Sequence, residues 1–173
     1  MNAIDILKDA EGRRLLHGLA ERVISPTAAA AIALVEETGV EVSGKEAVVI
    51  GRSDVVGKPA AILLIEKGAT VTVCNSKTKD LRKFVENADI LIATAGKPEL
   101  IKGEWIKPGA VVVDVGENIV NGRLVGDVEF ETAKSRAAYL SPVPGGVGPL
   151  TNVMLIKNLI TLQQLRENRH GSR

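Results

Sequence analysis

Apolar residues in this chain come in short unbroken runs, not in alternation with polar ones. Ala47–Ile50, Thr70–Cys74, Ile90–Ala93, Ala110–Val115 and Ala138–Leu140 are such runs. A strand that buries one face alternates; a strand that buries both reads as continuous apolar sequence. These segments therefore predict strands of a parallel sheet with helices on both faces. The stretches between them carry helix signals. Ser25-Pro26-Thr27 is an N-cap candidate with proline in the first turn, opening an alanine-rich helix that Gly39 ends. Further helices are expected at Lys58–Glu66, stopped by Gly68, at Lys79–Asn87, at Glu129–Arg136 and at Pro149–Leu165. Strand and helix alternating in this way predict an α/β, Rossmann-type three-layer domain with a mostly parallel sheet. The expected boundaries are a short N-terminal segment over 1–24, the domain itself over 25–165, and a polar tail over 166–173 that frays.

Composition narrows the function classes. With 173 residues, 45% hydrophobic and 25% charged, the chain supports one domain, two at most, with a sizeable core. A formal net charge of +1 gives no electrostatic case for nucleic acid or a membrane surface, and 2% aromatics argue against a base-stacking platform. No apolar run reaches the roughly 20 residues of a membrane span, and Met1-Asn2-Ala3-Ile4-Asp5 does not open like a signal peptide. A single cysteine, Cys74, excludes an internal disulfide, fits a reducing, cytoplasmic setting, and sits at the end of an apolar run as a packed thiol, not a nucleophile.

The segment following the first strand is the most informative. Gly51-Arg52-Ser53-Asp54-Val55-Val56-Gly57-Lys58-Pro59 reads as a glycine-pinned turn into a helix, where backbone and helix dipole suit a phosphate. Its spacing departs from G-x-G-x-x-G, because Arg52-Ser53 occupies the place of the central glycine. A tight turn without a ligand remains the alternative for this segment alone. Four strand ends, however, carry small or polar residues: Gly51-Arg52-Ser53, Asn75-Ser76-Lys77, Thr94-Ala95-Gly96 and Asp114-Val115-Gly116. In doubly wound sheets the ligand lies beyond those ends. An acid about 20 residues past the glycine turn would bind a ribose hydroxyl and select NAD. Here that region is Cys74-Asn75-Ser76-Lys77-Thr78-Lys79, with no carboxylate. A hydroxyl, lysines and nearby Arg52 suit a ribose phosphate, so NADP is expected in preference to NAD. The plain alternative for Lys77 and Lys79 is solvated charge at a helix start. A second feature, Ser141-Pro142-Val143-Pro144-Gly145-Gly146-Val147-Gly148-Pro149-Leu150-Thr151, links the last strand to the last helix at the same rim. Prolines stiffen it and glycines open unusual torsions, as a loop offering amides to a carboxamide or acyl oxygen requires.

These motifs together resemble the cofactor-binding half of the bifunctional methylenetetrahydrofolate dehydrogenase/methenyltetrahydrofolate cyclohydrolase (FolD-like) family. They are GRSDVVGKP (51–59), VTVCNSKTKDL (71–81), ADILIATAGKPELIKGEWIKPGAVVVDVG (88–116), NGRLVGDV (121–128) and PVPGGVGPLT (142–151). The resemblance implies an NADP-binding Rossmann domain beside a folate site, and a homodimer. It places Gly51, Arg52 and Ser53 at the adenosine ribose and phosphates, with Ser76 at the ribose phosphate; Val56 and Lys77 are further expected cofactor-binding residues. Thr94, Ala95, Gly96 and Gly116 line the rim, Thr151 reaches the cofactor, and Pro144, Gly145 and Gly146 face pterin and nicotinamide.

The departures are as informative. The family's N-terminal domain carries a Tyr-x-x-x-Lys motif whose lysine serves the cyclohydrolase step; the one tyrosine here, Tyr139, has no lysine at that spacing. That domain is expected to be missing. Lys8-Asp9-Ala10-Glu11-Gly12 resembles the family's pterin-binding Lys-Asp-Val-Asp-Gly, which makes Glu11 a candidate folate ligand, with a solvated terminal acid as the alternative. Asn75 and Glu117 stand where a histidine and an apolar residue are expected. Hydride transfer abstracts no proton and tolerates loss of a general base, whereas hydrolysis needs water activation, so the cyclohydrolase step should suffer more. Three readings stand: a reduced dehydrogenase completed by a second copy or a partner chain; a module that binds NADP and folate without turnover; and one subunit of a split enzyme. No catalytic side chain and no metal ligand is assigned.

Overall fold

The computed structural model describes residues 23–171, with side chains through residue 167. Its sheet has five strands, all parallel: β1 (Glu46–Ile50), β2 (Thr70–Cys74), β3 (Ile90–Ala93), β4 (Val111–Asp114) and, after a small hairpin, β7 (Tyr139–Leu140), in the order β2-β1-β3-β4-β7. The hairpin pairs β5 (Asn118–Val120) with β6 (Arg123–Val125). The helices are α1 (Pro26–Glu37), α2 (Gly57–Glu66), α3 (Leu81–Asn87), the short α4 (Phe130–Ala133) and the long α5 (Val147–Gly171). A 3₁₀ turn at Gly103–Trp105 precedes β4.

The three-layer arrangement follows from the unbroken apolar runs. Successive side chains of a strand face opposite ways. Ala47, Val49, Ile90, Ile92, Val111 and Val113 point to one core with α1, α2 and α5. Val48, Ile50, Leu91, Ala93 and Val112 point to the other, with Val85 of α3, Ile101, Ile106, Val128 and Ala133 of α4. Each fully buried Val, Leu or Ile contributes on the order of 1.5–3 kcal/mol, so both layers are tied firmly to the sheet. The Rossmann-type α/β fold expected from the pattern is the fold observed.

Local differences have physical causes. Ser25 precedes α1 as expected, but its hydroxyl makes no cap; the helix starts from Pro26 and the Ala29 N–H to Ser25 carbonyl bond (2.9 Å), with Ser25 only 1% exposed. The helix expected over Glu129–Arg136 is only Phe130–Ala133, because the chain tightens into short-range bonds: Ser135 N–H to Thr132 O and Arg136 N–H to Ala133 O. Helix α5 begins at Val147, since Gly148 and Pro149 fall in a first turn, where missing donors cost nothing, and it continues to Gly171, past the expected end at Leu165. The outward side of α5 keeps Val153, Ile156 and Ile160 more than half exposed. Among the described residues, no helix is long and apolar enough to cross a membrane.

Candidate functional site

Strand β1 leads leftward to β2 and the chain then crosses back to β3 on its other side, so the sheet reverses direction between β1 and β3. A crevice opens beyond the carboxyl ends of strands at such a reversal. Bonds at the rim hold these ends in one line. Gly51 N–H donates to Cys74 O (2.9 Å), Thr94 N–H to Ile50 O (2.7 Å), Val115 N–H to Ala93 O (2.8 Å) and Ser141 N–H to Val112 O (3.0 Å).

Gly51 and Gly57 shape the turn after β1. Gly51 has φ +119°, and a Cβ there would sit 2.8 Å from the Thr94 carbonyl carbon and closer still to its oxygens. A Cβ on Gly57 would lie 2.7 Å from the Gly51 carbonyl carbon and 3.0 Å from Arg52 Cα. The loop thus folds back on itself with no room for side chains. Ser53 Oγ accepts the N–H groups of Val56 (3.1 Å) and Gly57 (3.3 Å), and Ser53 O accepts that of Lys58 (3.0 Å). Ser53 therefore serves the start of α2 directly, and these leading amides are already engaged. Arg52 and Ser53 are exposed.

Beyond β2, Asn75 builds a tight turn. Its N–H donates to Thr78 Oγ1 (2.9 Å), its Oδ1 accepts Lys77 N–H (3.0 Å) and its carbonyl accepts Thr78 N–H (2.9 Å). Ser76 and Lys77 stand exposed at the tip. Cys74 is buried, and burial pushes its thiol up from the ordinary value, offset in part by the Thr78 hydroxyl, as a packed thiol requires.

The loops after β3 and β4 rest on two buried carboxylates. Asp127 is fully buried and accepts Ala95 N–H (2.5 Å), Gly96 N–H (2.9 Å), Lys97 N–H (2.8 Å) and Asn118 Nδ2 (2.9 Å). Asp114, 3% exposed, accepts Gly116 N–H (2.9 Å), Asp127 N–H (3.0 Å) and Val128 N–H (2.8 Å). Burial pushes Asp114 up to about 6, against the pull of those three donors and with a further push from Asp127. The sequence reading placed Asp114 on the rim and did not single out Asp127.

A cleft of about 690 Å³ opens at this end of the sheet. It gathers Val56, Gly116, Pro144, Gly145, Gly146 and Thr151 from the expected residues. Thr27, Glu117 and Asn152 also line it and were not anticipated as site residues. Thr151 Oγ1 donates to Val147 O (3.1 Å) within α5. The expected residues Gly51, Arg52, Ser53, Thr94, Ala95 and Gly96 form the neighbouring rim, and Ser76 and Lys77 lie at its far end beyond β2. Glu11 lies outside the described residues. Among the described residues, no group of three or more His, Cys, Asp or Glu is placed to hold a metal ion.

Two features fit a dinucleotide. Gly51 and Gly57 let the turn after β1 close on Thr94 and on itself at the crevice edge, where a Cβ would collide with the chain's own backbone. Beside them, Thr94 Oγ1 is one of the two buried side-chain oxygens without a hydrogen-bond partner among the described residues, the other being Ser25 Oγ. A buried hydroxyl left unpaired at a ligand crevice is a polar group awaiting a partner.

Comparison with known proteins agrees with this geometry. Residues 25–167 match the family described as tetrahydrofolate dehydrogenase/cyclohydrolase, NAD(P)-binding domain. The bifunctional protein FolD of Halothermothrix orenii is 50% identical over 167 residues, covering 92% of this chain and 59% of that protein. The solved methylenetetrahydrofolate dehydrogenase-cyclohydrolase of Trypanosoma brucei, complexed with NADP cofactor and inhibitor, superposes with a TM-score of 0.87 at 44% identity over 95% of this chain and 59% of that one. The Campylobacter jejuni enzyme gives 0.86 at 38% identity, over 95% and 58%. The chain thus spans about three-fifths of the length of these relatives.

Proposed function

We propose, from the premise that this chain belongs to the tetrahydrofolate dehydrogenase/cyclohydrolase family through its NAD(P)-binding domain, that it binds NADP and serves hydride transfer from a methylenetetrahydrofolate. The observation that carries this reading is the unpaired Thr94 hydroxyl beside the Gly51 turn, at the reversal of the sheet. The Trypanosoma brucei relative, which superposes over this same domain, was solved with NADP.

Arg52, Ser76 and Lys77 are the residues that meet the ribose phosphate, since each is exposed at the rim and no carboxylate stands at the end of β2 to claim a ribose hydroxyl. Thr94 bonds the cofactor. Gly51, Ser53, Val56, Ala95, Gly96, Gly116 and Thr151 wall its path. Pro144, Gly145 and Gly146 face the nicotinamide and the pterin, and Glu11 is the proposed pterin ligand. When bound, NADP supplies the hydride-accepting ring; the chain supplies position and excludes water. No lysine matches the family's Tyr-x-x-x-Lys motif, because the residue four positions past Tyr139 is Val143. The cyclohydrolase step is therefore not part of this proposal.

We further propose that the chain works in a reducing, cytoplasmic compartment, as a homodimer or beside a partner chain carrying the Tyr-x-x-x-Lys domain. The exposed Val153, Ile156 and Ile160 of α5, and Val73 on the edge strand β2, are apolar surface that such contacts would cover.

Incubating the purified chain with methylenetetrahydrofolate and NADP and following NADPH absorbance tests the reading. Formation of NADPH in proportion to protein supports it. NADP binding without turnover would select the second reading, a binding module. Absence of any NADP binding would overturn both.

A further inference from the structure

We infer that Asp127 is a positioning residue for the cofactor rim, holding the Thr94–Lys97 loop in its binding shape from beneath. The inference rests on the NADP reading above and extends it to a residue that lies behind the loop walling the proposed cofactor path and is not itself assigned to the cofactor.

Three consecutive backbone N–H groups, of Ala95, Gly96 and Lys97, converge on one fully buried carboxylate at 2.5, 2.9 and 2.8 Å. Successive amides curling around an anion form a nest, and Gly96, at φ +63°, supplies the left-handed torsion that such a curl needs. In many nucleotide sites a nest of this kind faces the ligand's phosphate. Here it faces inward, and the carboxylate is the anion. Asn118 Nδ2 takes a fourth acceptor site at 2.9 Å, so the carboxylate is saturated. The amides of this loop are therefore not offered to NADP phosphates, whose charge falls to Arg52 and Lys77.

The residues around Asp127 hold it in turn. Its own N–H donates to Asp114 Oδ1 (3.0 Å), whose carboxylate also takes the N–H groups of Gly116 and Val128. Both carboxylates need glycine opposite them. A Cβ on Gly116 would lie 2.6 Å from Asp127 N, and one on Gly126 would lie 2.6 Å from Asp114 Cγ. Asp114 N–H is itself bonded to Ser141 Oγ (2.8 Å), which ties the start of the proline- and glycine-rich loop to the same frame. Two neighbouring buried carboxylates are a costly way to pin loops for stability alone, since apolar packing of similar volume does that as well. What the pair provides is direction: three backbone loops are bonded at fixed angles around the crevice. The unpaired Thr94 hydroxyl is the residue immediately before the nest, so its orientation depends on it.

The test compares the full chain with its Asp127→Asn and Asp127→Ala variants, using Leu64→Ala, in the opposite core, as a control that loses stability away from the rim. NADP affinity is measured by calorimetry on the folded fraction of each, and the amides of Ala95, Gly96 and Lys97 are followed by ¹⁵N NMR and hydrogen exchange. Expected are strong exchange protection of those amides in the wild type, loss of protection in both variants, and an NADP affinity lowered roughly tenfold or more in Asp127→Ala and by less in Asp127→Asn, with Leu64→Ala near wild type. Wild-type binding with unchanged affinity in a folded Asp127 variant would overturn the inference alone. So would fast exchange of the three amides in the wild type, a measurement that stands even where a variant does not fold. Failure of the wild-type chain to bind NADP would overturn the cofactor reading and this inference with it.

Discussion

Replacing Gly51 by alanine tests the crevice wall. Gly51 directly follows β1 at φ +119°, far from the torsions that L-residues adopt, and holding alanine there costs on the order of 1–3 kcal/mol. The new methyl would also stand 2.8 Å from the Thr94 carbonyl carbon, against backbone that is itself bonded to Ile50 O at 2.7 Å. Relieving that overlap means parting β1 from β3 at the rim, which adds about 1–3 kcal/mol by analogy with overpacked cores. The sum is about 2–6 kcal/mol, a large share of a typical domain stability of about 5–15 kcal/mol. Gly39 provides the comparison. It too has a left-handed torsion, φ +73°, but a Cβ there meets nothing within 4 Å. Gly39→Ala should therefore cost only about 1–2 kcal/mol. Urea unfolding of both variants, with m-values checked for constancy, reads the difference. A Gly51→Ala variant no less stable than Gly39→Ala would refute the close approach of the turn to Thr94.

Replacing Arg52 and Lys77 by alanine should lower NADP affinity by about 1.5–3 kcal/mol per lost charged hydrogen bond and leave NAD affinity nearly unchanged; an equal loss for both cofactors would place these side chains away from the ribose phosphate. Asp114 predicts a falling limb in the stability profile. Its pKa is raised from 3.8 to about 6, so the folded state keeps a proton that the unfolded chain has released. That contribution is intact below pH 4, is lost as pH rises towards 6, and amounts to about 3 kcal/mol. Protonated Asp114 resembles a neutral asparagine, so denaturant midpoints of wild type and Asp114→Asn should lie closest near pH 4 and separate as pH rises, with only the wild type falling; parallel profiles would contradict it. The isolated chain should not accelerate methenyltetrahydrofolate hydrolysis above the buffer rate; a rate that scales with protein concentration would show that another group replaces the absent lysine.

The strands of the main sheet were legible because burial on both faces leaves no other pattern: Thr70–Cys74 and Ile90–Ala93 are found at the expected residues. The small hairpin was not read, although Asn121-Gly122 is a strong type I′ signal and both residues have positive φ, +51° and +75°. Its strands are three residues each and largely exposed, so they lack the apolar run on which the reading relied. The rim residues were legible as small and polar positions at strand ends. Asp127 was not, since a lone aspartate after glycine gives no sign of burial, and its partners Ala95–Lys97 lie on the other side of β4 in sequence. From sequence Ser53 is an expected cofactor contact; its hydroxyl's engagement with the Val56 and Gly57 N–H groups is a property of the folded turn that no spacing announces.

The central claim is that this rim holds NADP in preference to NAD. Calorimetric titration of the purified chain with each dinucleotide, at one ionic strength, tests it most directly. The account predicts one NADP per chain, bound clearly more tightly than NAD, with the preference shrinking as salt screens Arg52 and Lys77. NAD binding as tightly as NADP, or no heat of binding from either, would contradict it.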